Sequence, residues 1–196
     1  MIDKNNITAV ILAGGQGLRM NGQDKGLILL DNKPLIGHTV DIIDKSVSSI
    51  LVSANRNLDL YQQFGKVVSD NLSNYQGPLA GICAALTQTN SQYLFIVPCD
   101  SPYIDRSLLE RLSQAMIENN TKLCVVSENK HLHPTFALID VAIKPVLDQY
   151  LAAGERKLGK FFKECGAIEV DFSDKPQLFI NLNSPEDFIN NTIASD

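Results

Sequence analysis

Ala9-Val10-Ile11-Leu12-Ala13-Gly14-Gly15-Gln16-Gly17-Leu18-Arg19-Met20-Asn21-Gly22-Gln23-Asp24-Lys25-Gly26 is the stretch on which the fold turns. An apolar run leads without interruption into a loop holding five glycines and two cations, Arg19 and Lys25. The run reads as a buried strand. The loop reads as a phosphate cradle, because glycine backbones accept positive φ and let successive N–H groups converge on anionic oxygens. Arg19 and Lys25 add the charge that such a nest lacks. A glycine-rich surface turn is the plainer alternative, since glycines commonly follow strands.

Spacing separates the phosphate-binding motifs. A dinucleotide fingerprint, G-x-G-x-x-G, fails at Met20, where the third glycine should allow close helix packing. A P-loop, G-x-x-x-x-G-K-[ST], finds Gly17 and Gly22 at the right interval but meets Gln23 and Asp24 where lysine and a hydroxyl should follow. What remains is a nucleotide loop of its own pattern, L-A-G-G-x-x-x-R-M-x-x-x-D-K.

Working outward, 196 residues suit a single domain, 1–196, long enough to bury a substantial core. The net charge of −5 is spread over interspersed acids and bases, so no broad basic face exists for nucleic acid or an anionic membrane. The opening residues Met1-Ile2-Asp3-Lys4-Asn5-Asn6 are too polar for a signal peptide, and no apolar run approaches the ~18 residues of a membrane span. A cytoplasmic location is expected. Cys83, Cys99, Cys124 and Cys165 form no C-x-x-C pair and read as reduced, mostly buried thiols.

The rest of the chain alternates strands and helices. Leu27-Ile28-Leu29-Leu30 suggests a short strand and Pro34 the first residue of a helix carrying Ile36, Val40, Ile43 and Val47. Ile50-Leu51-Val52 follows as a strand, which gives the β-α-β order of a parallel sheet. Open α/β sheets place ligands at the carboxyl ends of their strands. Asn55 stands at one such end, fit either to read a base or ribose or to close a polar turn, and Asp70 repeats the pattern after Val67-Val68. Gly77-Pro78 opens a helix with a Leu79, Ile82, Cys83, Leu86 stripe; Gly77 leaves room for a ligand at the helix start, or merely punctuates the chain.

Tyr93-Leu94-Phe95-Ile96-Val97 reads as a central strand that delivers Asp100 between Pro98 and Pro102. A carboxylate there can hold Mg²⁺, which needs only one or two protein carboxylates beside water and phosphate oxygens. The N-cap of the next helix is better filled by Asp105. Leu123-Cys124-Val125-Val126 and Phe136-Ala137-Leu138-Ile139 are further strands around a hairpin with His131 and His133, the latter near a substrate. Val141–Tyr150 reads as a helix interrupted early by Pro145, Arg156 as an anion contact or a solvated arginine in the turn before helix Leu158–Cys165, and Ile168–Phe172 as a half-buried strand. Asn181 and Asn183 alternate to one side just before a capping-box-like start at Ser184-Pro185-Glu186-Asp187, suited to orienting a phosphate or to ordinary turn chemistry.

In order along nearly the whole chain, Leu12-Ala13-Gly14-Gly15, Arg19-Met20, Asp24-Lys25-Gly26, Ala54-Asn55-Arg56, Gly77-Pro78-Leu79-Ala80-Gly81, Pro98-Cys99-Asp100-Ser101-Pro102-Tyr103, His133-Pro134-Thr135, Ala153-Gly154-Glu155-Arg156 and Asn181-Leu182-Asn183-Ser184-Pro185-Glu186-Asp187 resemble the molybdenum cofactor guanylyltransferases of the nucleotidyltransferase superfamily. Asn21 stands where the family often has glycine, and Ser53 where it often has asparagine.

The resemblance implies an α/β, Rossmann-like three-layer sandwich with a mostly parallel sheet. It also implies transfer of GMP from GTP to molybdenum-bound molybdopterin, with Mg²⁺ as cofactor. Positions matching Leu12, Ala13, Gly14, Lys25, Asp70 and Asp100 bind GTP in the family, and the last also binds Mg²⁺. Gly15, Asn55 and Gly77 complete the expected nucleotide site; Lys25, Arg19 and Asp100 are the expected catalytic groups; His133, Arg156, Asn181 and Asn183 are the expected acceptor contacts. Protein partners expected on the same basis are a molybdenum-insertion protein and molybdoenzyme delivery chaperones. The rival readings are a related transferase with another nucleotide or phosphorylated acceptor, such as a cytidylyltransferase, and a non-catalytic nucleotide-binding adaptor.

Overall fold

The computed structural model describes residues 1–14, 24–69, 77–180 and 182. In chain order its elements are β1 (Ile7–Leu12), a small hairpin of β2 (Leu29–Leu30) and β3 (Lys33–Pro34), α1 (Leu35–Ile43), β4 (Ser49–Ser53), α2 (Leu58–Tyr61), β5 (Lys66–Val68) and α3 (Pro78–Gln88). There follow β6 (Tyr93–Pro98), α4 (Ser107–Glu118), β7 (Leu123–Glu128), β8 (His131–Asp140), α5 (Lys144–Ala152), α6 (Leu158–Glu164) and β9 (Ile168–Asp171).

One seven-stranded sheet takes the order β5-β4-β1-β6-β8-β7-β9. β8 runs antiparallel to β6 and β7, and the remaining pairings are parallel. β1 lies near the middle, and its Ala9, Val10 and Ile11 are fully buried, as expected of a strand covered on both faces. Alternation then sorts the core into two halves. Ala9, Ile11, Phe95 and Val97 pack on one side with Ile36 of α1 and Leu108, Leu112 and Met116 of α4. Val10, Leu94 and Ile96 pack on the other with Leu79 and Ile82 of α3, Leu147 of α5, and Phe161 and Phe162 of α6. Helix, sheet and helix thus form the three layers that the family resemblance implies, around the largely parallel sheet expected from the β-α-β order.

Local differences from the sequence reading have identifiable causes. Pro34 lies in β3 and immediately precedes α1, because Asp31 (φ 49°) and Asn32 (φ 62°) close a two-residue turn that pairs Leu29 with Pro34. Leu27 belongs to a 3-10 turn, Lys25–Leu27, and not to a strand. α1 ends at Ile43, and a second 3-10 turn carries the chain to Val47, which stays buried. Pro145 sits in the first turn of α5, where its missing N–H costs nothing, so it starts that helix and does not interrupt it. Asp105 caps the chain entering α4 by accepting from the Ser107 N–H at 2.8 Å, while the helix itself begins at Ser107. β8 carries a bulge: Val125 pairs with Ala137 but Val126 with His133, so Pro134-Thr135-Phe136 bows out around a proline that cannot donate to the ladder.

Candidate active site

β1, β4, β5 and β6 end on the same edge of the sheet, and hydrogen bonding continues past the strands. The Ala13 N–H donates to the Ser53 carbonyl at 2.8 Å, Ala54 N–H to Val68 at 3.1 Å, and Cys99 N–H to Leu12 at 3.1 Å. These bonds hold Ala13-Gly14, Ala54-Asn55 and Cys99-Asp100 side by side. A Cβ on Gly14 would stand 3.9 Å from Asn55 Nδ2, so the asparagine amide borders the glycine loop. Gly77, at φ 77° and ψ −173°, starts α3 on the same edge in a conformation that favours glycine. Ser53 is buried, and a Cβ on Gly81 of α3 would collide with its hydroxyl, so Ser53 serves helix packing.

Lys25 and Asp100 face one another across this edge. Lys25 Nζ donates to Asp100 Oδ2 at 3.5 Å, with 26% and 15% of the two side chains exposed. The lysine sits at the head of its 3-10 turn, flanked by two tightly held residues. Asp24 accepts from Tyr61 Oη at 2.6 Å and from Asn57 Nδ2 at 3.2 Å, and pairs with Arg56 Nε at 3.4 Å. Gly26 packs so closely that a Cβ would stand 2.7 Å from Tyr61 Oη and 3.2 Å from Cys99 Sγ. Burial pushes the Tyr61 phenol and the Cys99 thiol upward from their usual ranges, so both remain protonated.

The other half of this edge is formed by the β7–β8 hairpin and the chain beyond β9. His133 lies stacked on Phe179, with ring centroids 4.7 Å apart, and shares a 3.1 Å hydrogen bond with Glu128. His131 meets His133 edge-on at 5.1 Å. Arg156 lies between α5 and α6 and donates to the carbonyls of Leu151, at 2.8 Å, and Glu155, at 2.6 Å, closing the end of α5. A Cβ on Gly159, three residues on, would stand 3.8 Å from Leu132 near the start of β8, so this turn also lies on the carboxyl edge.

Leu12, Ala13, Gly14, Lys25, Asn55, Gly77 and Asp100 are therefore gathered at one edge, with His133 and Arg156 farther along it. Gly15, Arg19, Asp70, Asn181 and Asn183 lie outside the described residues, as does the Ser184-Pro185-Glu186-Asp187 start. Among the described residues no group of three or more His, Cys, Asp or Glu side chains gathers as a metal cage, and no helix is long and apolar enough to cross a membrane. Asp24, Asn57 and Tyr61 were given no role by the sequence reading. Their one signal was the placement of Asp24 immediately before Lys25 in the loop pattern.

Residues 9–168 match the MobA-like NTP transferase domain, and with this edge the chain is a nucleotidyltransferase of the α/β type. A molybdenum cofactor guanylyltransferase from Vibrio vulnificus is 45% identical over 178 residues, 91% of each chain, and one from Vibrio campbellii is 43% identical over 187 residues, 95% of each. The chain belongs to the molybdenum cofactor guanylyltransferase family, within the MobA-like NTP transferases. In fold it is similar to molybdopterin-guanine dinucleotide biosynthesis protein A from Archaeoglobus fulgidus, with a TM-score of 0.76 at 20% identity over 96% of this chain and 98% of that one.

Proposed function

We propose that residues 1–196 form a single nucleotidyltransferase domain that transfers GMP from GTP to the terminal phosphate of molybdenum-bound molybdopterin, giving the guanine dinucleotide cofactor and pyrophosphate. The observation that carries this reading is the Lys25–Asp100 pair, 3.5 Å apart beside the Leu12–Gly14 loop. The names of the relatives at 45% and 43% identity supply the substrates.

In the reaction an oxygen of the acceptor phosphate attacks the α-phosphorus of GTP. A new P–O bond forms as the bond to the bridging β-phosphate oxygen breaks, and the electron pair leaves with pyrophosphate. The attacking oxygen is already anionic, so neither a general base nor a protein nucleophile is needed, and the buried Cys99 thiol is held protonated. The work left to the protein is to hold two repelling phosphates in line and to neutralise their charge.

Lys25 can exchange Asp100 for a phosphate oxygen, and Arg19 takes the same task from the loop. Leu12, Ala13, Gly14 and Gly15 line the triphosphate with backbone, while Asn55, Asp70 and Gly77 border the nucleoside. Asn55 takes the contact for which the family often uses the position of Ser53. Asp100 is a half-shielded carboxylate at a strand end, which fits Mg²⁺ with its preference for few protein ligands. When bound there, the ion would neutralise charge on the phosphate oxygens. The acceptor approaches from His133, Arg156, Asn181 and Asn183. Since GTP is a cytoplasmic nucleotide, the enzyme works in the cytoplasm, next to a molybdenum-insertion protein and delivery chaperones.

Asp100→Ala tests the reading. Pyrophosphate release from GTP with molybdenum-loaded molybdopterin should fall by about 10²–10³ while the thermal unfolding curve keeps its shape. Turnover near that of the unaltered protein would overturn the assignment, and no release with the unaltered protein would favour an adaptor role.

A further inference from the structure

Asp24 is a carboxylate that the reaction as described does not use. Its side chain is only 4% exposed, and a buried carboxylate is costly unless paired and hydrogen-bonded. Among the described residues its three side-chain partners come from one segment, residues 56–61, between the end of β4 and the end of α2. Arg56 brings charge, Asn57 brings its amide from a left-handed backbone at φ 52° and ψ 34°, and Tyr61 brings a hydroxyl at 2.6 Å. Tyr61 itself is fully buried, so its ring is fixed by the core.

The same hydroxyl also borders residue 26: a Cβ on Gly26 would stand 2.7 Å from it, so the Tyr61 hydroxyl bonds the residue before Lys25 and leaves no room for a side chain on the residue after it. Resting on the reading of Lys25 as a phosphate-neutralising group, we propose that Asp24, locked by the Tyr61 hydroxyl, is the positioning residue that aims Lys25 at the triphosphate. A lysine has four rotatable side-chain bonds, and its ammonium acts as a point charge without directional grip. Its aim therefore depends on the backbone that carries it. Asp24 fixes that backbone at the residue before, and also starts the turn, its carbonyl accepting the Leu27 N–H at 3.0 Å.

A double-mutant cycle separates aiming from mere stabilisation. Asp24→Asn keeps the volume and an acceptor for Tyr61 but loosens the pairing with Arg56. It should lower kcat for GMP transfer about tenfold or more with little change in KM for GTP, as expected when an interaction made in the transition state is lost. In a Lys25→Ala background, Asp24→Asn should change kcat less than about twofold, because there is no ammonium left to aim. An equal loss in both backgrounds, or no loss in the unaltered protein, overturns the proposal. If Asp24→Asn does not fold, Tyr61→Phe runs the same cycle, with about a three- to tenfold loss expected only when Lys25 is present. Full kcat in Lys25→Ala alone would instead overturn the reading of Lys25 on which the proposal rests.

Discussion

Gly26 shows how tightly the site is drawn at the scale of single residues. A Cβ there would press on Tyr61 Oη at 2.7 Å and on the Cys99 Cβ and Sγ at 3.2 Å, and the core fixes both side chains. Gly26→Ala should therefore destabilise by about 1–3 kcal/mol, the usual cost of overpacking. For a chain of this length that is a fall in Tm of roughly 2–12 °C. In a Tyr61→Phe background, which lacks the nearest atom, Gly26→Ala should cost less in a melting experiment than it does in the unaltered protein. An equal cost in both backgrounds would place the strain elsewhere. Lys25 and Asp100 stood out in the sequence because the one closes a glycine-rich loop of recognisable pattern and the other ends an apolar run between two prolines. The Asp24–Tyr61 bond did not. Tyr61 reads as an ordinary aromatic in a helical stretch, and nothing in a one-dimensional pattern pairs it with a carboxylate 37 residues away.

Among the elements, the small β2–β3 hairpin precedes α1 and follows the Lys25 turn directly. Both residues of its turn, Asp31 and Asn32, hold positive φ, which suits glycine and asparagine and penalises branched side chains. Asn32→Gly should leave Tm unchanged or raise it, whereas Asn32→Val should cost about 1–2 kcal/mol, read by thermal denaturation. An Asn32→Val protein as stable as its parent would contradict the turn geometry. Hydrophobic periodicity located most strands and helices, since strand and helix repeats differ and the core demands one of them. Direction was harder to read. The run at β8 looks like its neighbours, and it runs antiparallel because a hairpin joins it to β7. The bulge at Pro134 falls just past Ala137, where the pairing of β8 with β6 stops and only β7 continues alongside, a boundary that only the assembled sheet provides.

At the scale of the whole molecule, the site draws on strand ends across the sheet, so bound nucleotide should tie the entire fold together. Ligand present at 100 times its Kd stabilises by about 2.7 kcal/mol. GTP with Mg²⁺ at that level should raise Tm by roughly 5–11 °C. ATP, CTP and UTP at equal concentration should give smaller shifts, and a larger shift with CTP would move the assignment to a cytidylyl-transferring relative. The parallel core of the sheet was legible from the β-α-β pattern and the three layers from the family resemblance, whereas the gathering of His133 and Arg156 on the same edge as Asp100 required the strand order β1-β6-β8-β7.

That arrangement bears on how such a loop can be inherited or borrowed. A contiguous phosphate-binding turn carries its contacts within one short peptide and can be moved between scaffolds as a cassette. Here Lys25 meets Asp100 across 75 residues, and its neighbour Asp24 leans on Tyr61 across 37. The glycine loop is therefore not a portable module. Transplanted without β4, α2 and the end of β6, it would keep its glycines and lose the orientation of its charge.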